Sequence, residues 1–242
     1  MSVIAIIPAR YDSSRLPGKA LAPIGGVPMI VRVWRQACQA RSLQRVIVAT
    51  DDTRIVEAIR AVGGEAEMTA STHQSGTDRI AEVAARIEAE IYLNVQGDQP
   101  FIAPADLEAL AAPMRADPSL AMATLATPIT SEEEWYNPNK VKVVCDARGD
   151  ALYFSRSPIP FARDGGIPAI AQRHIGVYGY RRDFLLAFAA LEPGVLEGIE
   201  KLEQLRALER GYRIRVVASV APSLEVDTPA DLALANQAAM NQ

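Results

Sequence analysis

The segment Ala9-Arg-Tyr-Asp-Ser-Ser-Arg-Leu-Pro-Gly-Lys19 sets three cations, Arg10, Arg15 and Lys19, against a single acid, Asp12. Cations at that density on a short loop suit a triphosphate. Gly18 permits a tight backbone approach, so that exposed N–H groups can form an anion nest. The plain alternative is a solvated surface loop. Two familiar phosphate loops do not fit. A dinucleotide fingerprint needs G-x-G-x-x-G after the first strand, and no glycine lies between Met1 and Pro17. A P-loop needs Ser or Thr after Gly-Lys, but Gly18-Lys19 is followed by Ala20, and Ser13 stands where its first glycine belongs.

Asn94-Val-Gln-Gly-Asp98 ends an apolar run on a carboxylate. Hard cations take one or two carboxylates plus phosphates and water, which makes Asp98 a candidate Mg2+ ligand. The alternative is a turn or helix-cap aspartate. Glu225-Val-Asp-Thr228 holds a second acid, Asp227, as ligand or as cap. If its strand lies beside that of Asp98, both carboxylates face one metal. In His73-Gln-Ser-Gly-Thr-Asp-Arg79, the residues Gln74, Ser75 and Gly76 could read a base or ribose, and Arg79 could face phosphate or solvent. Arg156 could pair bidentately with a substrate carboxylate or form a structural ion pair. Strand alternation puts His174, Gly176 and Tyr178 on one face, as pocket lining or as core. Glu203 and Gln204 fall within a helical pattern, where a solvated face is the ordinary reading.

The elements that must position these groups alternate. Val3–Ile7 is a short β-branched run, as a buried parallel strand should be, and Pro8 is expected to end it. A helix over 28–40 follows, then strand 45–49, helix 53–62 stopped by Gly63-Gly64, strand 65–68 and helix 77–88. Strand 91–95, helix 104–112 and strand 120–126 complete this half. The pattern implies right-handed crossovers and a mostly parallel sheet covered on both faces, with ligands outside the carboxyl ends of its strands. The loops 9–19 and 96–100 both fall on that edge. Strands at 140–145 and 151–154 flank a turn and read as a hairpin. With the strand at 175–180 they form an antiparallel insertion, roughly 130–180, inside a single domain spanning 1–242. Helices at 183–191 and 197–210, a strand at 213–220 and a last helix opened by Thr228-Pro229 finish the chain.

The chain has 242 residues with 25 Lys and Arg against 29 Asp and Glu, a net charge of −4. Through Lys19 the charge is +2, so the remainder carries −6. The broad basic footprint of a nucleic-acid binder is missing. No apolar run is long enough to span a membrane. The two cysteines match no zinc spacing, and the chain has only two histidines. A reducing cytoplasm is the expected compartment.

Taken together, Ile7-Pro-Ala-Arg-Tyr…Arg15-Leu-Pro-Gly-Lys19, His73-Gln-Ser-Gly-Thr-Asp-Arg79, Asn94-Val-Gln-Gly-Asp98, Tyr153-Phe-Ser-Arg156, Arg173-His-Ile-Gly-Val-Tyr-Gly-Tyr180, Leu202-Glu-Gln-Leu-Arg206 and Val226-Asp-Thr-Pro229 resemble the 3-deoxy-manno-octulosonate (Kdo) cytidylyltransferases nearly end to end. The resemblance implies a three-layer α/β fold of the nucleotide-diphospho-sugar transferase kind, with an antiparallel dimerisation insertion. It implies conversion of CTP and Kdo to CMP-Kdo and diphosphate for lipopolysaccharide assembly, with Mg2+, in a homodimer. Ala9, Arg10, Arg15, Lys19, Gln74, Ser75, Gly76 and Arg79 would then surround the nucleotide. Lys19 and Arg10 would act on the phosphates with the Mg2+ ligands Asp98 and Asp227. Gln96, Arg156, His174, Tyr178, Glu203 and Gln204 would line the sugar pocket. A sister enzyme for 8-amino-Kdo or another 2-keto acid sugar, and a non-catalytic nucleotide- or sugar-binding protein, are the alternatives. Two positions depart from the family pattern: Gln99 stands where Glu is usual, and Phe161 where Trp is common.

Overall fold

The computed structural model of the protein describes residues 1–12, 16–221 and 224–240. In chain order the elements are β1 (Val3–Ala9), a 3-10 turn (Lys19–Leu21), β2 (Pro23–Ile24), β3 (Val27–Pro28), α1 (Met29–Ala37), β4 (Arg45–Thr50), α2 (Thr53–Arg60), β5 (Glu65–Met68), α3 (Gly76–Arg86), β6 (Ile91–Asn94) and α4 (Pro104–Ala116). There follow β7 (Met122–Pro128), α5 (Glu132–Tyr136), β8 (Lys142–Cys145), β9 (Ala151–Ser155), β10 (Gln172–Arg181), α6 (Arg182–Ala189), α7 (Val195–Glu200), α8 (Leu205–Glu209), β11 (Ile214–Ala218) and α9 (Pro229–Met240).

The main sheet runs β11-β7-β10-β6-β1-β4-β5. β10 is antiparallel to both its neighbours and the other pairs on this path are parallel. The β8–β9 hairpin extends from β10 through β8. Both faces are covered, which explains the continuous apolar strands. One core joins Ile30, Val33, Ile55, Ile59, Leu107 and Leu110 of α1, α2 and α4 to Ala5, Ile7, Val48 and Leu93. The opposite core joins Ile80, Val83, Phe184 and Phe188 of α3 and α6 to Ile4, Ile6, Ile47 and Tyr92. The helices α2 and α3 start on side-chain caps. Asp52 accepts from Arg54 N at 2.9 Å, and Ser75 and Asp78 form a reciprocal capping box on α3.

Several sequence expectations change. Pro8 does not end β1: the ladder to β4 continues through Pro8 and Ala9. Pro8 shares strand parity with Ile6, whose carbonyl already accepts from Val95 N, and regular pairing with β6 stops at Ile6. The missing N–H therefore faces a position with no ladder partner. The helix over 197–210 is two short helices, because Lys201 adopts a left-handed conformation at φ 55°. Helix α4 runs on through Pro113 to Ala116. The β2–β3 hairpin and α5 carried no periodic signal.

Candidate active site

The carboxyl ends of β1 and β6 meet where Pro8 and Gly97 touch. A Cβ at Gly97 would sit 3.0 Å from the Pro8 carbonyl oxygen, so this close approach needs glycine. It brings Asp98 under the cationic loop. Lys19 Nζ lies 2.7 Å from Asp98 Oδ2 and 3.0 Å from Asp227 Oδ1. Burial alone would lower the Lys19 ammonium's pKa, but Asp98 and then Asp227 outweigh it and raise it. The cation is thus held charged.

Asp227 does not arrive by a neighbouring strand. β11 is at the far edge of the sheet, separated from β6 by β7 and β10. Instead the chain returns after β11, and Val226 N donates to the Asp98 carbonyl at 2.9 Å. Val226 is packed with Ile24, Met29 and Ala235, so α9 and the β2–β3 hairpin hold this return against the site. Asp231 accepts from Thr228 N at 2.8 Å and caps α9, leaving the Asp227 carboxylate turned to Lys19.

Among the described residues no cluster of three or more His, Cys, Asp or Glu side chains could hold a metal. Two convergent carboxylates suit a hard divalent cation that completes its shell with phosphate oxygens and water. The donor set therefore fits Mg2+, which Asp98 and Asp227 could hold.

The surrounding cleft, of about 370 Å3, is lined by Ala9, Arg10, Lys19, Gly76, Arg79, Gln96, Asp98 and Asp227 among others. Arg10 Nη2 donates to the His73 carbonyl at 2.6 Å, linking the cationic loop to the loop before α3. Gly18 N donates to Tyr11 O at 3.2 Å, and the Tyr11 ring carries the Arg54 guanidinium 3.3 Å from its centroid. Arg15 lies outside the described residues. Gly76 opens α3, and Ser75 caps it. Gln74 donates to the Thr72 carbonyl at 2.9 Å. Arg79 lines the cleft but is buried: Nη2 donates to Asp51 at 2.9 Å, Nη1 to the Thr69 hydroxyl, and Nε has no partner. Its charge is committed to the ends of β4 and β5, so it braces this side of the cleft from below.

The residues expected at the sugar form a second group. His174 Nε2 lies 2.9 Å from the Thr124 hydroxyl, and burial pushes the imidazole pKa down to about 3. It stays neutral. The Tyr178 ring is 5.4 Å from His174, and burial raises its phenol pKa. Glu203 accepts from the Thr77 hydroxyl, and burial raises its carboxyl pKa. Gln204 is buried with Nε2 unpartnered. The Gly176 Cα faces Gln96, whose Cγ would lie 4.0 Å from a Cβ there. Gln96 thus stands between this group and the cleft. Arg156 is committed to the backbone, donating to Glu200 O at 2.7 Å, Pro138 O at 3.0 Å and Lys201 O at 3.3 Å. That web fixes the 200–204 segment.

Sequence reasoning left Thr77, Gln99 and Glu225 without a role. Thr77 lay inside the His73–Arg79 motif, and its partner is 126 residues away. Gln99 and Glu225 also lay inside flagged segments, where nothing local signals that they meet.

Comparison with known proteins places this geometry in context. The Cytidylyltransferase family profile matches residues 4–214. The 3-deoxy-manno-octulosonate cytidylyltransferase of Geobacter metallireducens is 54% identical, covering 96% of this chain and 95% of its own. That of Syntrophotalea carbinolica is 54% identical over 96% of each chain. A solved CMP:2-keto-3-deoxy-manno-octonic acid synthetase complexed with CTP superposes with a TM-score of 0.95 at 47% identity over the whole of both chains. At 16% identity, 4-diphosphocytidyl-2C-methyl-D-erythritol synthase of Anaerococcus prevotii shares the fold, with a TM-score of 0.66. The chain belongs to the cytidylyltransferase family, within its 3-deoxy-manno-octulosonate branch.

Proposed function

We propose that this chain transfers a cytidylyl group from CTP to Kdo, releasing diphosphate and forming CMP-Kdo for lipopolysaccharide assembly. The observation that carries the reading is the Lys19 ammonium set between two carboxylates at the mouth of the cleft. In the reaction the anomeric hydroxyl oxygen of Kdo forms a bond to the α-phosphorus. The bond from that phosphorus to the diphosphate oxygen breaks, and the hydroxyl proton leaves to solvent. Negative charge grows on the phosphate oxygens, so fixed cations and geometry supply most of the acceleration. Lys19 and Arg10 neutralise that charge, and Arg15 belongs to the same loop. Gln74, Ser75 and Gly76 bound the base and ribose. Gln96, Tyr178, His174, Glu203 and Gln204 shape the sugar side, which Arg156 holds in place. Mg2+ on Asp98 and Asp227 would supply Lewis-acid stabilisation of the phosphates and lower the hydroxyl's pKa.

No helix among the described residues is long and apolar enough to cross a membrane. Cytoplasmic CTP suits this reading. The antiparallel segment exposes Leu152, Phe161 and Ile170, at 63%, 87% and 71%, which favours a second copy against this face. Sedimentation should give twice the chain mass. The function is tested by diphosphate release from CTP, Mg2+ and Kdo, with CMP-Kdo as product. Release with 8-amino-Kdo or another 2-keto acid sugar, but none with Kdo, overturns the substrate. CTP binding without turnover of any sugar overturns the enzyme.

A further inference from the structure

Behind the candidate metal pair lies a contact that the chemistry described so far does not use. Gln99 directly follows Asp98 and is 1% exposed. Its Nε2 lies 3.4 Å from Glu225 Oε1, while its own Oε1 is buried without a partner among the described residues. Glu225 stands two residues before Asp227, and the residue between them, Val226, is the one tied to the Asp98 carbonyl. The Gln99–Glu225 contact is therefore a side-chain cross-link running beside the backbone one. Both join the segment that presents Asp98 to the segment that presents Asp227. Burial raises the Glu225 carboxyl above the usual range; Lys140 and Arg173 oppose that rise, and Asp98 and Asp227 add to it. Keeping a third acid so near the pair is unfavourable unless it is anchored. The Gln99 amide offers the anchoring donor.

The geometry points to Glu225, clasped by Gln99, as a positioning residue for the divalent cation: it fixes the 225–227 segment, and with it Asp227, against 98–99. The inference rests on the reading of Asp98 and Asp227 as metal ligands. The clasp needs one carboxylate and one amide. Two carboxylates supply no donor across it, and two amides replace the carboxylate acceptor by a weaker one, so either change loosens the segment that presents Asp227. Exchanging the residues preserves both conditions.

Four chains test this: wild type, Gln99→Glu, Glu225→Gln, and the double exchange. Mn2+, a paramagnetic probe for the Mg2+ site, is titrated into each CTP-loaded chain with sugar omitted. Water-proton relaxation separates metal on the protein from metal on free nucleotide, and melting temperatures are measured alongside. Glu225→Gln should weaken Mn2+ about tenfold, the low end for an outer-shell substitution. Gln99→Glu should melt about 4 °C lower. The double exchange should recover both quantities. Glu225→Gln binding Mn2+ as wild type does would overturn the inference. So would a double exchange that recovers melting but not Mn2+ affinity, since that is packing alone. A wild-type chain that takes up no Mn2+ overturns the metal reading itself, and it does so before any substitution is made.

Discussion

On the β1–β6 side of the cleft, the side chains of Lys19, Asp98 and Asp227 keep 18%, 26% and 35% of their surface exposed and pair with one another. On the β10 side, His174 and Gln204 keep 9% and 3%, and burial pushes the His174 imidazole and the Glu203 carboxyl toward their neutral forms. The cleft wall preserves charge, and the wall beyond Gln96, outside the cleft lining, suppresses it. Charge kept at a water-accessible pair can be transferred to an incoming polyphosphate with little desolvation. Neutral, buried polar groups recognise shape and hydroxyl pattern, because a missing partner leaves them unsatisfied.

Lys19→Met tests the charged wall most severely. It should lower kcat/KM about 1,000-fold, roughly 4 kcal/mol of transition-state stabilisation, with circular dichroism unchanged. If the loss stays within threefold, charge on that wall is incidental. Asp98→Asn should come next, with kcat down about 100-fold and CTP affinity within about threefold by calorimetry. Equal losses in both would move Asp98 from metal ligation to nucleotide binding. Glu203→Gln probes the neutral wall: the sugar KM should rise about tenfold, near 1.4 kcal/mol, while the CTP KM stays put. A matching rise for CTP would erase the distinction between the walls.

The pH effect is read in stability, not in turnover. His174 titrates near 3 in the fold and near 6.5 when unfolded. The unfolded chain therefore takes up the proton first as pH falls. The stability that the neutral imidazole confers is complete above about 6.5 and is lost progressively toward 3. Urea midpoints between pH 7 and 4 should decline less steeply in His174→Gln than in wild type. Parallel slopes would mean that the β10 wall does not suppress this charge.

Much of this division is legible in local sequence. Apolar β-branched runs and capped helices place the parallel strands within a few residues, and Gly18 and Gly97 mark where loops come close. The cationic loop and Asp98 follow from that order alone. What escapes is long-range. Asp227 reaches Lys19 across 208 residues, and nothing near it tells that β11 sits at the far edge while the chain returns. Pro8 looked like a terminator because its parity relative to β6 is a property of the sheet. Lys201 breaks a helical pattern through a backbone conformation that its own side chain does not advertise. The structural roles of Arg79 and Arg156 depend on carbonyls and acids brought from elsewhere, so their charge alone suggested ligands.

The return of the chain to Asp98 has a consequence for biosynthesis. Strands β1, β4 and β6 and the cationic loop are translated early, yet Asp227 and the α9 helix that pins it follow about 130 residues after β6. A nascent chain can bury most of its core while still lacking half of its cation pair. Truncated products that stop after β11 would keep every strand of the sheet but no assembled centre, so catalytic competence waits for the segment that follows β11.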